Sequence, residues 1–306
     1  MVLDSVLPVF LVIASGAFLK RLGFTGDGFH KVSDRLVYYI FFPVLLFWKI
    51  GDPAAAESMS WRLNLSVLAA ILTVYLLSLA FILAGGVPRK AAGSFSQACY
   101  RFNTYVGLAI VVNVLGEEGM RYFGTLISFA IPFINVLAVW TLIRFSDAQY
   151  TSSQKTRFIA KSMLSNPLIL ACLSGLLYAR FRQPFPGFLE NTFRLLAPVT
   201  LPLALLSIGA SLNFRKIGGL LKLSAASCLF KIVLLPLAGL FYLHRFGVTG
   251  VPFQTAMIFF SLPAATAIYI LSSQFDSDLD MASASILLST LLSFFSLSAS
   301  LLLFVH

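Results

Sequence analysis

The chain is short of charge, and shortest of acid: of its 306 residues, 12 are Asp or Glu against 22 Lys or Arg. Charged residues make up 11% of the sequence, where a soluble globule carries about 25%. That shortage excludes an ordinary water-facing surface, and no long hydrophilic block supplies a separate soluble domain. Histidine is scarce too: His30, His244 and His306 fall in loops or at the end. With no carboxylate pair inside an apolar run, an intramembrane enzyme lacks its general acid, base and metal ligands. Cys99, Cys172 and Cys228 all lie in apolar runs without metal-ligand spacing and read as small buried hydrophobes. No cofactor or metal is expected. The first charge is Asp4 and the first apolar run ends in Lys20-Arg21, which suits a retained span better than a cleaved leader.

What is present is hydrocarbon. Hydrophobic residues reach 58%, Phe alone numbers 30, and the mean hydropathy is +0.90. A bilayer core takes about 20 mainly apolar residues per helix. Ten such runs occur, at roughly 5–22, 33–50, 62–84, 93–115, 121–144, 163–182, 193–212, 220–243, 251–272 and 282–304. The sequence therefore predicts an all-α polytopic membrane protein with the lipid bilayer as its solvent. The net charge of +10 is spread between the apolar runs, so it reports topology rather than a nucleic-acid face. Loops after odd-numbered spans hold thirteen basic residues (Lys20, Arg21, Lys31 and Arg35 among them), and loops after even-numbered spans hold seven. The positive-inside rule then puts the first set in the cytoplasm and both termini outside, in a cell or inner membrane. Arg180 and Arg182 sit on the wrong side of that bias.

Sliding the chain on itself by 159 positions aligns Pro8 with Pro167, Gly16 with Gly175, Arg21 with Arg180, Arg35 with Arg194 and Pro43 with Pro202. Leucine matches are cheap in such a sequence, but these are not. Two five-span halves follow, 1–146 and 163–306, joined by a polar cytoplasmic linker at 147–162. An odd number of spans per half makes the repeats inverted, an arrangement used by alternating-access carriers with a midplane site at broken helices. The fourth run carries Gln97-Ala-Cys-Tyr-Arg101-Phe-Asn103-Thr104, and the ninth carries Ser261-Leu-Pro263-Ala-Ala-Thr266. Both are polar or proline-containing interruptions at membrane depth, which survive only where protein or a water-filled cavity satisfies the backbone. Half-helix N-termini there attract negative charge. Asn103 can donate an amide, Thr104 and Thr266 hydroxyls, and Arg101 either pairs with a carboxylate or ties helices together. Lys231, inside the eighth span, balances cargo charge, titrates during transport, or holds freed carbonyls. All Asp and Glu residues fall in loops or near span ends, which argues against a cation antiporter. Asp276-Ser-Asp278-Leu-Asp280 lacks the glycine and closing Glu of a calcium loop and reads as a helix cap. Pro198 and Pro202 read as a structural kink in the seventh span.

These motifs resemble the auxin efflux carrier family, whose bacterial members include carboxylate permeases. The resemblance runs almost end to end, through Leu7-Pro8-Val-Phe-Leu, Arg35-Leu-Val-Tyr-Tyr-Ile-Phe-Phe-Pro43, Arg101-Phe-Asn103-Thr104, Asn166-Pro167, Leu201-Pro202-Leu-Ala-Leu-Leu-Ser-Ile-Gly209, Lys231 with Pro236, and Leu262-Pro263-Ala-Ala-Thr266. It implies a 5+5 inverted repeat of the sodium/proton antiporter and bile acid symporter type, with helices 4 and 9 broken and crossed. Helices 1, 2, 6 and 7 would form a scaffold that makes a homodimer, and helices 3–5 and 8–10 the moving unit. It also implies a secondary transporter moving a small organic anion, a carboxylate, with Asn103 at the cargo. Phe102 stands where the plant carriers have proline, and their long cytoplasmic loop is missing. The competing expectation is a membrane sensor or structural protein that keeps the carrier fold without turnover.

Overall fold

In hydrocarbon a backbone amide has no water to bond, so an apolar run of this length closes its own hydrogen bonds as a helix. The computed structural model describes residues 2–52, 60–146, 151–181, 183–212 and 218–305, and among them there are helices and no strands. Residues 147–150 of the linker lie outside the described residues, as do Arg182, Arg215, Lys216, Glu57 and His306. In chain order the helices are α1 (Val2–Arg21), α2 (27–51), α3 (Trp61–Gly86), α4 (Ala92–Tyr100) and α5 (Thr104–Phe145). They continue as α6 (Ser152–Leu164), α7 (Pro167–Ala179), α8 (Gly187–Ser211), α9 (Leu221–Arg245), α10 (Gly250–Phe260), α11 (Ala267–Gln274) and α12 (Leu279–Phe304). Five helical stretches are long and apolar enough to cross a membrane: α3, Arg89–Phe145, α8, α9 and α12. Large apolar side chains such as Leu11, Phe18, Leu76, Leu177, Phe241 and Phe295 are exposed. On a soluble monomer they would be a liability; against lipid they are the expected surface.

Local chemistry sets the joints. Asp278 caps α12, its Oδ1 accepting from the N–H groups of Asp280 and Met281 at 2.9 Å, as expected for that acidic run. Asn166 caps α7 by accepting from Leu168 and Ile169. Pro198 sits in a 3-10 turn, Ala197–Val199, inside α8. Pro43 and Pro236 each follow a π-helical turn, Val37–Phe41 in α2 and Phe230–Leu234 in α9. Proline lacks an N–H and crowds the carbonyl four residues back. Here the residue before each proline reaches one position further: Phe42 N–H donates to Val37 O, and Leu235 N–H to Phe230 O. The widened turn absorbs the crowding and keeps the helix running. Gly116, with φ 59° and ψ −148°, divides α5 into two limbs, a conformation that a side chain would strain.

Two pairings bring backbones unusually close. A Cβ on Gly16 of α1 would lie 2.0 Å from Leu206 O of α8, and one on Gly209 of α8 would lie 1.7 Å from Ile13 O of α1. In α7, a Cβ on Gly175 would sit 3.1 Å from the Ile50 side chain of α2. Gly16 and Gly175 are the glycines aligned by the 159-residue offset. Elsewhere polar and aromatic groups make the contacts. Thr73 Oγ1 of α3 and the Tyr242 hydroxyl of α9 are 3.0 Å apart, as are Ser227 Oγ of α9 and Ser285 Oγ of α12.

The glycine contacts carry a prediction. Gly209→Ala forces α1 and α8 apart and should cost about 1–3 kcal/mol, the usual range for an overpacked site. Thermal unfolding in detergent should show a clear drop for Gly209→Ala and none for Gly28→Ala, whose added Cβ meets nothing within 4 Å.

Candidate functional site

The two interruptions read from the sequence are where regular helix stops. Residues Arg101–Asn103 separate α4 from α5, and Ser261–Thr266 separate α10 from α11. The breaks touch: Asn103 N–H donates to Pro263 O at 2.9 Å, and the Phe102 and Phe259 rings lie 4.1 Å apart. On one side of this junction α4 and the far end of α11 are clipped together. Ser94 Oγ is 2.8 Å from Ser272 Oγ, and Asp278 N–H donates to Lys90 O. On the other side α10 packs on α5 through Phe259 and Phe123. All nine residues of α4 are buried, so the junction is deep in the protein.

Several backbone groups of the second break find a donor or acceptor on another part of the chain. Lys231 Nζ of α9 donates to Phe260 O at 3.2 Å. Ser296 Oγ of α12 donates to Ser261 O at 2.7 Å, and Ser289 Oγ of α12 accepts from Ala264 N–H at 3.1 Å. With the Asn103 bond to Pro263, the segment is held from three sides. In the first break, Asn103 Oδ1 caps α5 by accepting from the N–H groups of Tyr105 and Val106, at 3.1 and 3.3 Å. Its Nδ2 is buried and has no hydrogen-bond partner among the described residues. Thr104 and Thr266 are half-buried beside their breaks, and Pro263 is buried.

Arg101, at the junction, makes its hydrogen bonds to α4 and α5. Nη1 donates to Gln97 Oε1 at 3.3 Å and Nη2 to Asn135 Oδ1 on the second limb of α5 at 3.1 Å, while Nε has no partner among the described residues. Its partners are neutral amides, so its charge stays uncompensated. Lys231 is fully buried and Arg101 is 6% exposed, yet no Asp or Glu appears among the buried described residues. The two bases sit at matching places. Arg101 is the residue after the C-terminus of α4, and Lys231 meets the last carbonyl of α10. C-terminal ends carry the negative pole of a helix and suit cations. The positive poles that enter the same junction are the N-termini of α5 and α11, and no buried Asp or Glu stands among the described residues to meet them.

The 159-residue offset and the polar interruptions locate Asn103, Thr104, Pro263, Thr266 and Arg101 around the junction, with Lys231 at its edge. Ser289, Ser296 and Asn135 are the partners that the sequence reading misses. Their signal is faint: Ser285, Ser289, Ser293, Ser296 and Ser300 recur at helical spacing along one stripe of α12.

The Arg101 contacts are testable. Asn135→Leu leaves Nη2 without a partner and should lower stability by about 1.5–3 kcal/mol, the worth of a hydrogen bond to a charged group. Adding Arg101→Met should recover part of that loss, because the stranded charge goes with it. Melting temperatures of the four proteins in this cycle measure the coupling; simple additivity would show that the pair does not interact.

Comparison with known proteins completes the picture. A family model described as membrane transport protein matches residues 1–301. The chain is 22% identical over 295 residues to an uncharacterized transporter of Methanocaldococcus jannaschii, covering 94% of each. It is 23% identical over 299 residues to an uncharacterized transporter of Methanothermobacter thermautotrophicus, covering 96% of this chain and 95% of that one. A Rhizobium meliloti protein named "Putative malonate transporter" is 25% identical over 295 residues, covering 94% and 91%. Matched along nearly its whole length, the chain belongs to the membrane transport protein family, that of the auxin efflux carriers whose motifs it carries.

Proposed function

We propose that this transporter is a secondary carrier for a small organic anion, a carboxylate, which crosses the cytoplasmic membrane by alternating access. The observation that carries this reading is electrostatic: two buried basic side chains lie at the junction of two broken helices, with no buried acid among the described residues. Burying charge without a partner is costly, and an anion in the junction offsets that cost. Asn103 Nδ2, a donor with no partner, and the Thr104 and Thr266 hydroxyls supply directional bonds to a carboxylate. The positive ends of α5 and α11 add their dipoles. The malonate in the name of the Rhizobium relative supports the same cargo class.

The architecture behind the mechanism is the ten-span inverted repeat. It is supported by the 159-residue offset, by the matched glycine contacts of α1 with α8 and α7 with α2, and by the meeting of the two breaks. On this reading α1, α2, α7 and α8 form a dimerising scaffold, and the helices around the junction move against it. Both chain ends lie outside the cytoplasm, as the distribution of Lys and Arg suggests. Arg101 and Lys231 shape the field at the site while bonding to protein, and Asn103 contacts the cargo.

Uptake of labelled malonate and other mono- and dicarboxylates into proteoliposomes tests the proposal. Saturable flux is expected for the wild type, and flux of organic cations alone would overturn the anion reading. Asn103→Asp keeps an oxygen for the α5 cap but replaces the donor with negative charge. Losing one bond to a charged cargo, worth about 1.5–3 kcal/mol, should reduce uptake about 10-fold or more, with little change in melting temperature. Undiminished uptake by Asn103→Asp and Asn103→Ala would remove Asn103 from the site.

A further inference from the structure

Broken-helix carriers that take a cation with their cargo hold it on unwound carbonyls and half-helix C-terminal ends. At the α10 end of the second break, three such carbonyls are occupied by the protein itself. The carbonyl of Phe260, the last residue of α10, receives Lys231 Nζ at 3.2 Å. Ser261 O receives the Ser296 hydroxyl at 2.7 Å, and Pro263 O receives the Asn103 N–H at 2.9 Å. Three of the first four carbonyls from the α10 end are thus turned to donors of this chain rather than to open space. No carboxylate stands among the buried described residues to balance a free cation. Lys231 is fully buried, and it stems from the π-helical turn Phe230–Leu234 that precedes Pro236. Its ammonium is therefore delivered to the helix end by a fixed piece of backbone.

We propose that Lys231 is a tethered replacement for a coupling cation: its ammonium occupies the place at the end of α10 that a sodium ion would take, so the anion moves without a co-bound metal cation. This rests on reading the junction as a carrier site and adds to it the absence of cation coupling. A monovalent cation and an ammonium have the same charge, and carbonyl oxygens serve either one. Fixing the charge covalently removes the need to recruit it from solution. It also leaves the ammonium in place when the cargo departs, so the negative pole of α10 stays matched through the cycle.

The test requires no cargo. Melting temperatures of the purified wild type, Lys231→Ala and Lys231→Met are measured in sodium, lithium, methylammonium and choline chloride at equal ionic strength. A ligand that binds only the folded state raises its melting point. Lys231→Ala opens the position and should melt several degrees higher in sodium, lithium or methylammonium than in choline. Lys231→Met fills the space without charge and should be indifferent, as should the wild type. Indifference of Lys231→Ala, or equal stabilisation of Lys231→Met, overturns the proposal. If Lys231→Ala does not fold, the wild type decides: a melting point or carboxylate uptake that needs sodium or lithium refutes the replacement, and independence from both upholds it. Failure of the anion reading would show separately, as a wild type that takes up no carboxylate.

Discussion

The bond from Asn103 N–H to Pro263 O joins the break between α4 and α5 to the break between α10 and α11, both of them buried. In hydrocarbon each unsatisfied backbone group costs several kcal/mol, so neither break could persist alone. Together they are supported, because a donor of one meets an acceptor of the other and the surrounding helices bond several of the remaining groups. Ser289 and Ser296 from α12 and Lys231 from α9 are consequences of that need. So is the Asn103 cap on α5.

The same accounting fixes the polarity of the junction. A break frees carbonyls at the end of one half-helix and N–H groups at the start of the next. Here the carbonyls of Phe260, Ser261 and Pro263 are taken by donors of the chain. The donor left over among the described residues is the Asn103 side-chain amide, and the N-termini of α5 and α11 bring their positive poles to the same junction. Arg101 strengthens the imbalance, since Gln97 and Asn135 accept from its two terminal nitrogens without cancelling its charge. A junction built this way has a surplus of positive potential before any cargo arrives. On the proposed anion reading, selectivity by charge follows from how the breaks are stabilised, rather than being an addition to it.

The breaks were legible in the sequence for a physical reason. Polar residues and proline at membrane depth are expensive, so Arg101, Asn103 and Pro263 stand out against leucine and phenylalanine. The aligned pairs Gly16 with Gly175 and Pro43 with Pro202 stood out likewise. The partners of the breaks did not. Serine in a membrane helix commonly bonds its own preceding turn, as Ser283 does to Leu279 O. Nothing in the sequence separates it from Ser296, which reaches the second break. The π-helical turns were hidden as well: Pro43 and Pro236 announce a disturbance, but whether the helix kinks or widens depends on its packing. The linker read as a polar connection, and its described part is largely the helix α6, Ser152–Leu164. Its mixed composition concealed the helix, because Phe158 gains its contact with Phe275 only in the folded chain.

The contacts also differ in kind across the molecule, and the difference bears on motion. Between α1 and α8, glycines let backbones meet, and such a contact has one fitting distance and little tolerance for sliding. Between α2 and the kink in α5, by contrast, the bridge is Lys49 to Glu117 at 2.8 Å, with the Glu117 side chain 61% exposed. An exposed pair of this kind is worth about 0–1 kcal/mol, enough to favour one arrangement and too little to lock it. Lys49 also lies 4.1 Å from the Trp48 ring, and Trp48 Nε1 donates to Glu190 Oε2 of α8 at 2.8 Å. Losing Glu117 would leave Lys49 its place on that aromatic surface. On the proposed division of scaffold and moving unit, the glycine contacts that bring backbone onto backbone lie within the scaffold, while the boundary carries this easily broken ion pair beside side-chain contacts such as Ile50 on Gly124 and Phe42 on Tyr105. A carrier needs that ordering: the contacts that must change during transport have to be weaker than those that hold each body together.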